Sequence, residues 1–196
     1  MTVRTYLGLG ANVGDPEATL AWAVGALEAH PRIRVRAVSP LYRTAPWGDL
    51  DQPDFRNAVI AADTDLEPLD LLAALKDLER EAGRRRRRRW GPRELDLDLL
   101  VYGRRRIRVE RPPEARSIDA DIDPAKAARL LEVPHRDLGE RLFVLAPLAD
   151  LAPRLVPPGW HETVETTRRR VAGAVPPESV RMIGTWDPAT GRWRPG

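Results

Sequence analysis

Residues 94–100, Glu-Leu-Asp-Leu-Asp-Leu-Leu, constrain the chain more than any other stretch. Alternation of polar and apolar residues is the period of a half-buried strand. On such a strand Leu95, Leu97 and Leu99 face one side and Asp96 and Asp98 share the other. The two aspartate Cα atoms then stand roughly 6–7 Å apart, twice the rise per residue. Carboxylates at that spacing hold one hard cation, or bridge two cations about 3.5–4 Å apart, or form the solvated face of an edge strand. Six arginines, 84–89, and Trp90-Gly91-Pro92-Arg93 lead into the strand. An arginine-rich loop beside a carboxylate pair suits a metal-bound polyphosphate; the bland alternative is a charged surface loop.

The remaining segments supply partners for that strand. Residues 2–9 alternate as a first strand and end in the glycine-rich turn Gly10-Ala11-Asn12-Val13-Gly14-Asp15. Asp15 suits an N-cap and Pro16 the first helical position. Leu20, Val24 and Leu27 mark a helix ending near His30-Pro31. The turn reads as a phosphate cradle or a plain tight turn, and it matches neither GxGxxG nor a Walker A sequence. Ile33, Val35 and Ala37 mark a second strand. Residues 39–53, with three prolines and a glycine, read as a long loop.

Residues 55–62 read as a third strand with Phe55 and Asn57 on one face. A ring and an amide there suit a flat heterocycle, or are a core phenylalanine and a turn asparagine. Asp65 is expected to cap a second helix reaching about Ala82, with Leu69, Leu72, Leu75, Leu78 and Ala82 inward and Gly83 as its stop. With the acidic strand closing at Tyr102-Gly103, the order is β-α-β-β-α-β. That predicts the α+β class and a ferredoxin-like antiparallel sheet with both helices on one face.

Residues 104–129 are highly charged and contain Pro112-Pro113, with one helix signal at Asp123-Pro124. They read as a surface insertion. Leu142, Val144, Leu145 and Leu148 predict an additional C-terminal helix, and another starts at Thr163. The tail carries a turn signal, Asp187-Pro188-Ala189-Thr190-Gly191, between Trp186 and Trp193, which predicts a small docked hairpin. The expected organisation is one domain over 1–172 and a tail over 173–196.

A chain of 196 residues suffices for one such domain. The absence of cysteine excludes disulfides and thiolate metal sites. No apolar run approaches the ~18–20 residues of a membrane span, and residues 1–4 lead straight into the first strand without a signal-peptide pattern. A cytoplasmic chain without a membrane partner is expected. The net charge of +3 and a pI near 9.8 keep nucleic-acid binding as a rival. Against it, Asp96 and Asp98 repel a phosphate backbone unless a metal intervenes, and the aromatic strand lacks an RNP-type pattern. No nucleic-acid partner is expected.

Four pieces in order carry a resemblance: the glycine-rich first turn, DQPDFRNAV at 51–59, RWGPRELDLDLLVYG at 89–103 and PHRDLGERLFVLAPL at 134–148. Together they resemble the 6-hydroxymethyl-7,8-dihydropterin pyrophosphokinase family of folate biosynthesis, over roughly residues 3–155 apart from 104–129. The resemblance implies transfer of the ATP β,γ-pyrophosphoryl group to the pterin hydroxymethyl oxygen, leaving AMP, with two magnesium ions. It implies Asp96 and Asp98 as metal carboxylates and, with Arg84 and Arg93, as the catalytic set. Phe55 and Phe143 would stack on the pterin, Asn57 would bond its edge, and Thr44, Ala45 and Trp47 would complete that edge. Arg89, Arg93, His135 and Arg141 would meet the nucleotide, with Glu79 and Trp90 positioning loops. The implied partners are these two small molecules, and a monomer is expected. The family has basic and hydroxyl contacts just before the PH pair, where this chain has Leu130, Leu131 and Glu132. Either Arg111 supplies the basic group from across the insertion or that contact is absent. The loops 43–53 and 84–92 are expected to be open without ligand and to close over nucleotide.

Overall fold

The computed structural model of the protein describes residues 1–46, 51–83, 91–112 and 128–196. Along them run β1 (Val3–Ala11), α1 (Pro16–Ala29), β2 (Ile33–Val38), β3 (Leu41–Thr44), β4 (Phe55–Thr64), α2 (Pro68–Glu81) and β5 (Asp96–Tyr102). Then come β6 (Ile107–Glu110), β7 (Arg129–Val133), α3 (Leu142–Leu151), α4 (Val164–Ala172), β8 (Val180–Asp187) and β9 (Arg192–Pro195). The main sheet runs β5-β1-β4-β3-β8-β9, β2 also pairs with β4, and every pairing is antiparallel. The chain is thus a mixed α/β fold built on an antiparallel sheet.

The alternation along β5 sorts its side chains as the sequence requires. Leu97 and Leu99 enter a core with Leu7, Leu9, Ile60, and Leu20, Leu27, Leu71 and Leu75 from α1 and α2. The sheet's other face is covered by α3 and α4, with Leu145, Leu148 and Val164 packed on Val59 and Val101. A one-residue shift in the β1–β5 register falls at Leu100, so Leu100 and Val101 both join this second layer. The acidic strand does lie at an edge of the sheet.

An edge strand has backbone groups without a ladder partner. On β5 they are met from α2. Glu79, 3% exposed, accepts the Leu97 N–H at 2.7 Å, and Lys76 Nζ donates to the Leu97 carbonyl at 3.1 Å and to Glu79 at 2.6 Å.

Several local expectations need correction. Asp15 does cap α1, its carboxylate accepting the Ala18 N–H, but Asp65 does not cap α2. That helix starts at Pro68 with no side-chain cap, and Asp65 accepts instead from Arg32 at 2.7 Å. Of the expected inward face, Leu75 is buried and Leu72, Leu78 and Ala82 pack against the same core, joined by Leu71, whereas Leu69 in the first turn is 45% exposed. The stretch 39–53 contains β3, which continues β2 after an interruption at Ser39-Pro40. Ser39 takes both backbone bonds of Val59 there, from its own N–H and with its hydroxyl, and Pro40 has no N–H to offer. From 104–129, β6 pairs with β7 as a separate ribbon; of the helix expected from Asp123 through Leu131, Arg129, Leu130 and Leu131 are strand instead, drawn into the β7 ladder, and the residues up to 127 lie outside the described residues, as do Trp47, Arg84, Arg89 and Trp90. β8 hydrogen-bonds along β3, so the terminal hairpin extends the main sheet, and Trp193, 9% exposed, donates to the Ser39 carbonyl at 2.9 Å.

Candidate active site

A cleft of about 480 Å³ opens over the carboxyl end of β1, on the sheet face that carries α3. Its floor is made by glycine. Gly10 pairs with Asp96 on one side and Asn57 on the other, and Gly8 pairs with Asp98 and Val59. A Cβ at Gly10 would stand 3.1 Å from Asn57 Oδ1, tighter than ordinary contact. Glycine inside a strand otherwise weakens it, so two at alternate positions leave room for something else.

Asp96 and Asp98 stand on one wall. The Asp96 carboxylate is ion-paired with Arg93, three residues before it. Asp98 Oδ2 lies 4.0 Å from His135 Nε2. The segment carrying His135 is pinned to β5, because the His135 N–H donates to the Leu100 carbonyl at 2.8 Å. His135 Nδ1 accepts the Asp137 N–H at 3.3 Å, so a neutral ring carries its proton on Nε2, the nitrogen facing Asp98.

The opposite wall is aromatic and amide. Phe55, Asn57, Thr44 and Ala45 line it, and the first turn of α3 brings Phe143 and Val144 across. Asn57 Nδ2 donates to Thr44 Oγ1 at 2.7 Å, both residues being buried, so the amide is held before any ligand arrives. Arg141 is ion-paired with Asp137, and its guanidinium carbon lies 5.8 Å from the Phe143 ring centroid.

The structure therefore brings Thr44, Ala45, Phe55, Asn57, Arg93, Asp96, Asp98, His135, Arg141 and Phe143 into one cleft. Glu79 is not among its lining residues; it acts on the site through the backbone of β5. Arg111 does line the cleft, reaching it from the end of β6, and so does Arg136. Sequence reasoning missed Gly8, Lys76 and Arg136, and it took Gly10 only for turn. Leu7-Gly8-Leu9-Gly10 held a signal, glycine at alternate positions on one strand face. Lys76 held another, being one of two lysines in a chain whose other basic side chains are arginine.

The group best fitted to a carboxylate pair facing arginines is a hard divalent cation with phosphate. Among the described residues no group of three or more His, Asp or Glu side chains is placed to hold a metal alone. A hard cation that keeps several waters can be bound by one or two carboxylates together with substrate phosphates.

Comparisons with known proteins point to one family. The family model for 7,8-dihydro-6-hydroxymethylpterin-pyrophosphokinase matches residues 6–153. The protein from Methylorubrum extorquens named 2-amino-4-hydroxy-6-hydroxymethyldihydropteridine pyrophosphokinase is 46% identical over 169 residues, covering 86% of this chain and 92% of that one. Its namesake from Pseudomonas aeruginosa is 45% identical over 162 residues, covering 82% and 88%. Among solved structures, the Plasmodium falciparum HPPK-DHPS with pteroate aligns over 100% of this chain and 48% of its own, with a TM-score of 0.73 at 14% identity, a likeness of fold. On the family match and these identities, the chain belongs to the 7,8-dihydro-6-hydroxymethylpterin-pyrophosphokinase family.

Proposed function

We propose that the cleft carries out the reaction of this family: the β,γ-pyrophosphoryl group of ATP passes to 6-hydroxymethyl-7,8-dihydropterin, giving the pterin diphosphate and AMP. The observation that carries the reading is the meeting of Asp96 and Asp98 with Phe55, Asn57 and Phe143 across one glycine floor. The pterin lies between the Phe55 and Phe143 rings, with Asn57 and the backbone near Thr44 and Ala45 at its edge. Arg93, Arg111, Arg136 and Arg141 offer guanidinium groups to the phosphates. His135 donates from Nε2 on the same side.

Asp96 and Asp98 would hold two magnesium ions, which when bound neutralise phosphate charge and polarise the transferring group as Lewis acids. The hydroxymethyl oxygen attacks the β-phosphorus, the bond from that phosphorus to the α,β-bridging oxygen breaks, and AMP leaves. The hydroxyl proton goes to the aspartate pair. Protein catalysis here is positioning and electrostatic stabilisation, with no covalent intermediate. Trp47, Arg84, Arg89 and Trp90 complete the pterin edge and the phosphate site in this reading.

The sheet order supports a ferredoxin-like core. With β2 and β3 counted as one interrupted strand on β4, β5-β1-β4-β2/β3 is the order of a β-α-β-β-α-β unit with α1 and α2 on one face. We also place residues 1–172 in one catalytic unit, acting as a monomer in the cytoplasm. Among the described residues no helix is long and apolar enough to cross a membrane.

The test is product identity. Purified protein with ATP, the hydroxymethyl dihydropterin and magnesium should yield AMP and pterin diphosphate, and EDTA should stop it. Formation of ADP, or turnover indifferent to pterin, would overturn the reading.

A further inference from the structure

Asn12 follows the last residue of β1 and is 3% exposed. It is hydrogen-bonded to the segments that lead into both walls of the cleft. Its backbone N–H donates to the Arg93 carbonyl at 3.0 Å, and its Oδ1 accepts the Arg93 N–H at 2.8 Å. Its Nδ2 donates to Gln52 Oε1 at 3.0 Å and to the Pro53 carbonyl at 2.9 Å. Both amide protons and the amide oxygen are thereby used.

These bonds continue the sheet where the strands have ended. The last β1 pairs are Gly10 with Asp96 and Ala11 with Arg56. One residue further on, the Asn12 side chain and backbone bridge the two flanking segments in place of a ladder. Arg93 is three residues before Asp96 and its side chain is paired with that carboxylate. Pro53 is two residues before Phe55 and four before Asn57.

We propose that Asn12 is a positioning residue that sets the acidic wall against the pterin wall, its amide oxygen registering Arg93 and Asp96 and its amide nitrogen registering Phe55 and Asn57. This rests on the reading of the cleft as the pyrophosphokinase site. Asparagine is required because each segment presents the opposite polarity: an N–H donor at Arg93 and carbonyl acceptors at Gln52 and Pro53. Aspartate keeps the acceptor for Arg93 and turns the other contact into two oxygens facing a carboxylate. Reaction rates are sensitive to misplacement on the ångström scale, so an error in this bridge separates the walls without touching either substrate.

The experiment is Asn12→Asp, with Asn12→Ala, Gln52→Ala and the Asn12→Asp/Gln52→Ala double variant, assayed below their melting temperatures for AMP formation. Active wild-type protein establishes the reaction independently of the outcome for Asn12. Asn12→Asp should raise the pterin KM about 10-fold and leave the ATP KM within about twofold, because only the Pro53 side is broken. Asn12→Ala should raise both constants and lower kcat. Gln52→Ala removes the Asn12 bond at the outer end and should raise the pterin KM about threefold, with the double variant less than additive. Kinetic constants within twofold of wild type in folded Asn12→Asp, or equal rises in both KM values, would overturn the proposal. Where Asn12→Ala fails to fold, the aspartate and Gln52 variants decide; additive Asn12→Asp and Gln52→Ala effects also count against it.

Discussion

On the β5 wall, the Asp96 and Asp98 side chains keep 22% and 36% of their exposure and face Arg93 and His135. On the β4 wall, Asn57 is 6% exposed and its amide already donates to the buried Thr44 hydroxyl. The difference fits what each wall would meet in the proposed reaction. There, metal and polyphosphate would arrive with their own charge and water, so carboxylates that receive them must be reachable, with arginines that can move from carboxylate to phosphate. A neutral heterocycle is selected by the direction of a few hydrogen bonds, and a site built to make such bonds rejects analogues that cannot. The wall that reads it gains from being fixed beforehand. The backing differs in the same sense. β5 is an edge strand held from α2 by Glu79 and Lys76, whereas β4 is flanked on both sides by strands.

The largest expected effect breaks the charged wall. Asp96→Ala should lower turnover on the order of 10²–10³-fold or more, the loss seen when a charge-stabilising group leaves a transition state. The fold should survive, since Leu97 and Leu99 keep the core face. The check is AMP release beside a circular-dichroism melt. Near-normal turnover would make the carboxylate pair a solvated strand face. A smaller effect belongs to the floor between the walls. Gly10→Val places branched carbon against Asn57 Oδ1, where even a Cβ stands at 3.1 Å. The pterin KM should rise about 10-fold, from loss of stacking and edge contacts of roughly 1–1.5 kcal/mol. An ATP KM that rises as much would place the glycine floor under the nucleotide instead.

The sequence made β5 legible because alternation there is strict and both faces have work to do. Phe55, Asn57, His135, Arg141 and Phe143 were legible through short motifs in a fixed order, and the cleft does gather them. The places that misled had weaker physics. A four-residue strand such as β3 has too few alternating positions to stand out from Pro40, Pro46 and Pro53 around it. On α2, Leu71, Leu72, Leu75 and Leu78 together form one broad inward face, and Leu69, in the first turn, falls outside it and stays exposed. Asp65 looked like a cap because it precedes the helix, but the stronger attraction is Arg32 on the neighbouring turn. Asn12 carried no signal, since its bonds reach 40 and 81 residues along the chain.

A stability measurement sharpens the contrast in backing. Glu79→Ala removes the acceptor of a buried N–H on the edge strand. The cost should be about 1–3 kcal/mol, the penalty of an unsatisfied buried donor, read from urea unfolding. Turnover should fall with it as β5 loosens, while affinity for a pterin analogue stays within twofold. Pterin affinity that falls in step with stability would mean the two walls are not held separately.

The smallest effect lies behind the pterin wall. Tyr42 on β3 pairs with Asn57 in register, and its hydroxyl donates to Asp150 at the end of α3 at 2.7 Å. Partial burial raises the Asp150 carboxyl above its ordinary range, with the Tyr42 hydrogen bond and Arg168 pulling the other way. A carboxyl whose folded pKa is raised contributes most below its unfolded value, and that contribution is lost as pH climbs through the folded value. Tyr42→Phe removes one of the opposing influences, so the folded value rises further. The variant should therefore lose stability at pH 7 and recover part of it as pH falls through the raised folded value of Asp150. Although its carboxyl is partly desolvated, the residue as a whole is open to solvent, so screening holds the loss to under about 1 kcal/mol. Paired melts at pH 7 and below that folded value test this, with the pterin KM expected within twofold because Asn57 keeps Thr44. A loss that is equal at both pH values would show that the hydroxyl packs rather than bonds, and a pterin KM that rises with it would extend the fixed wall back through β3 to α3.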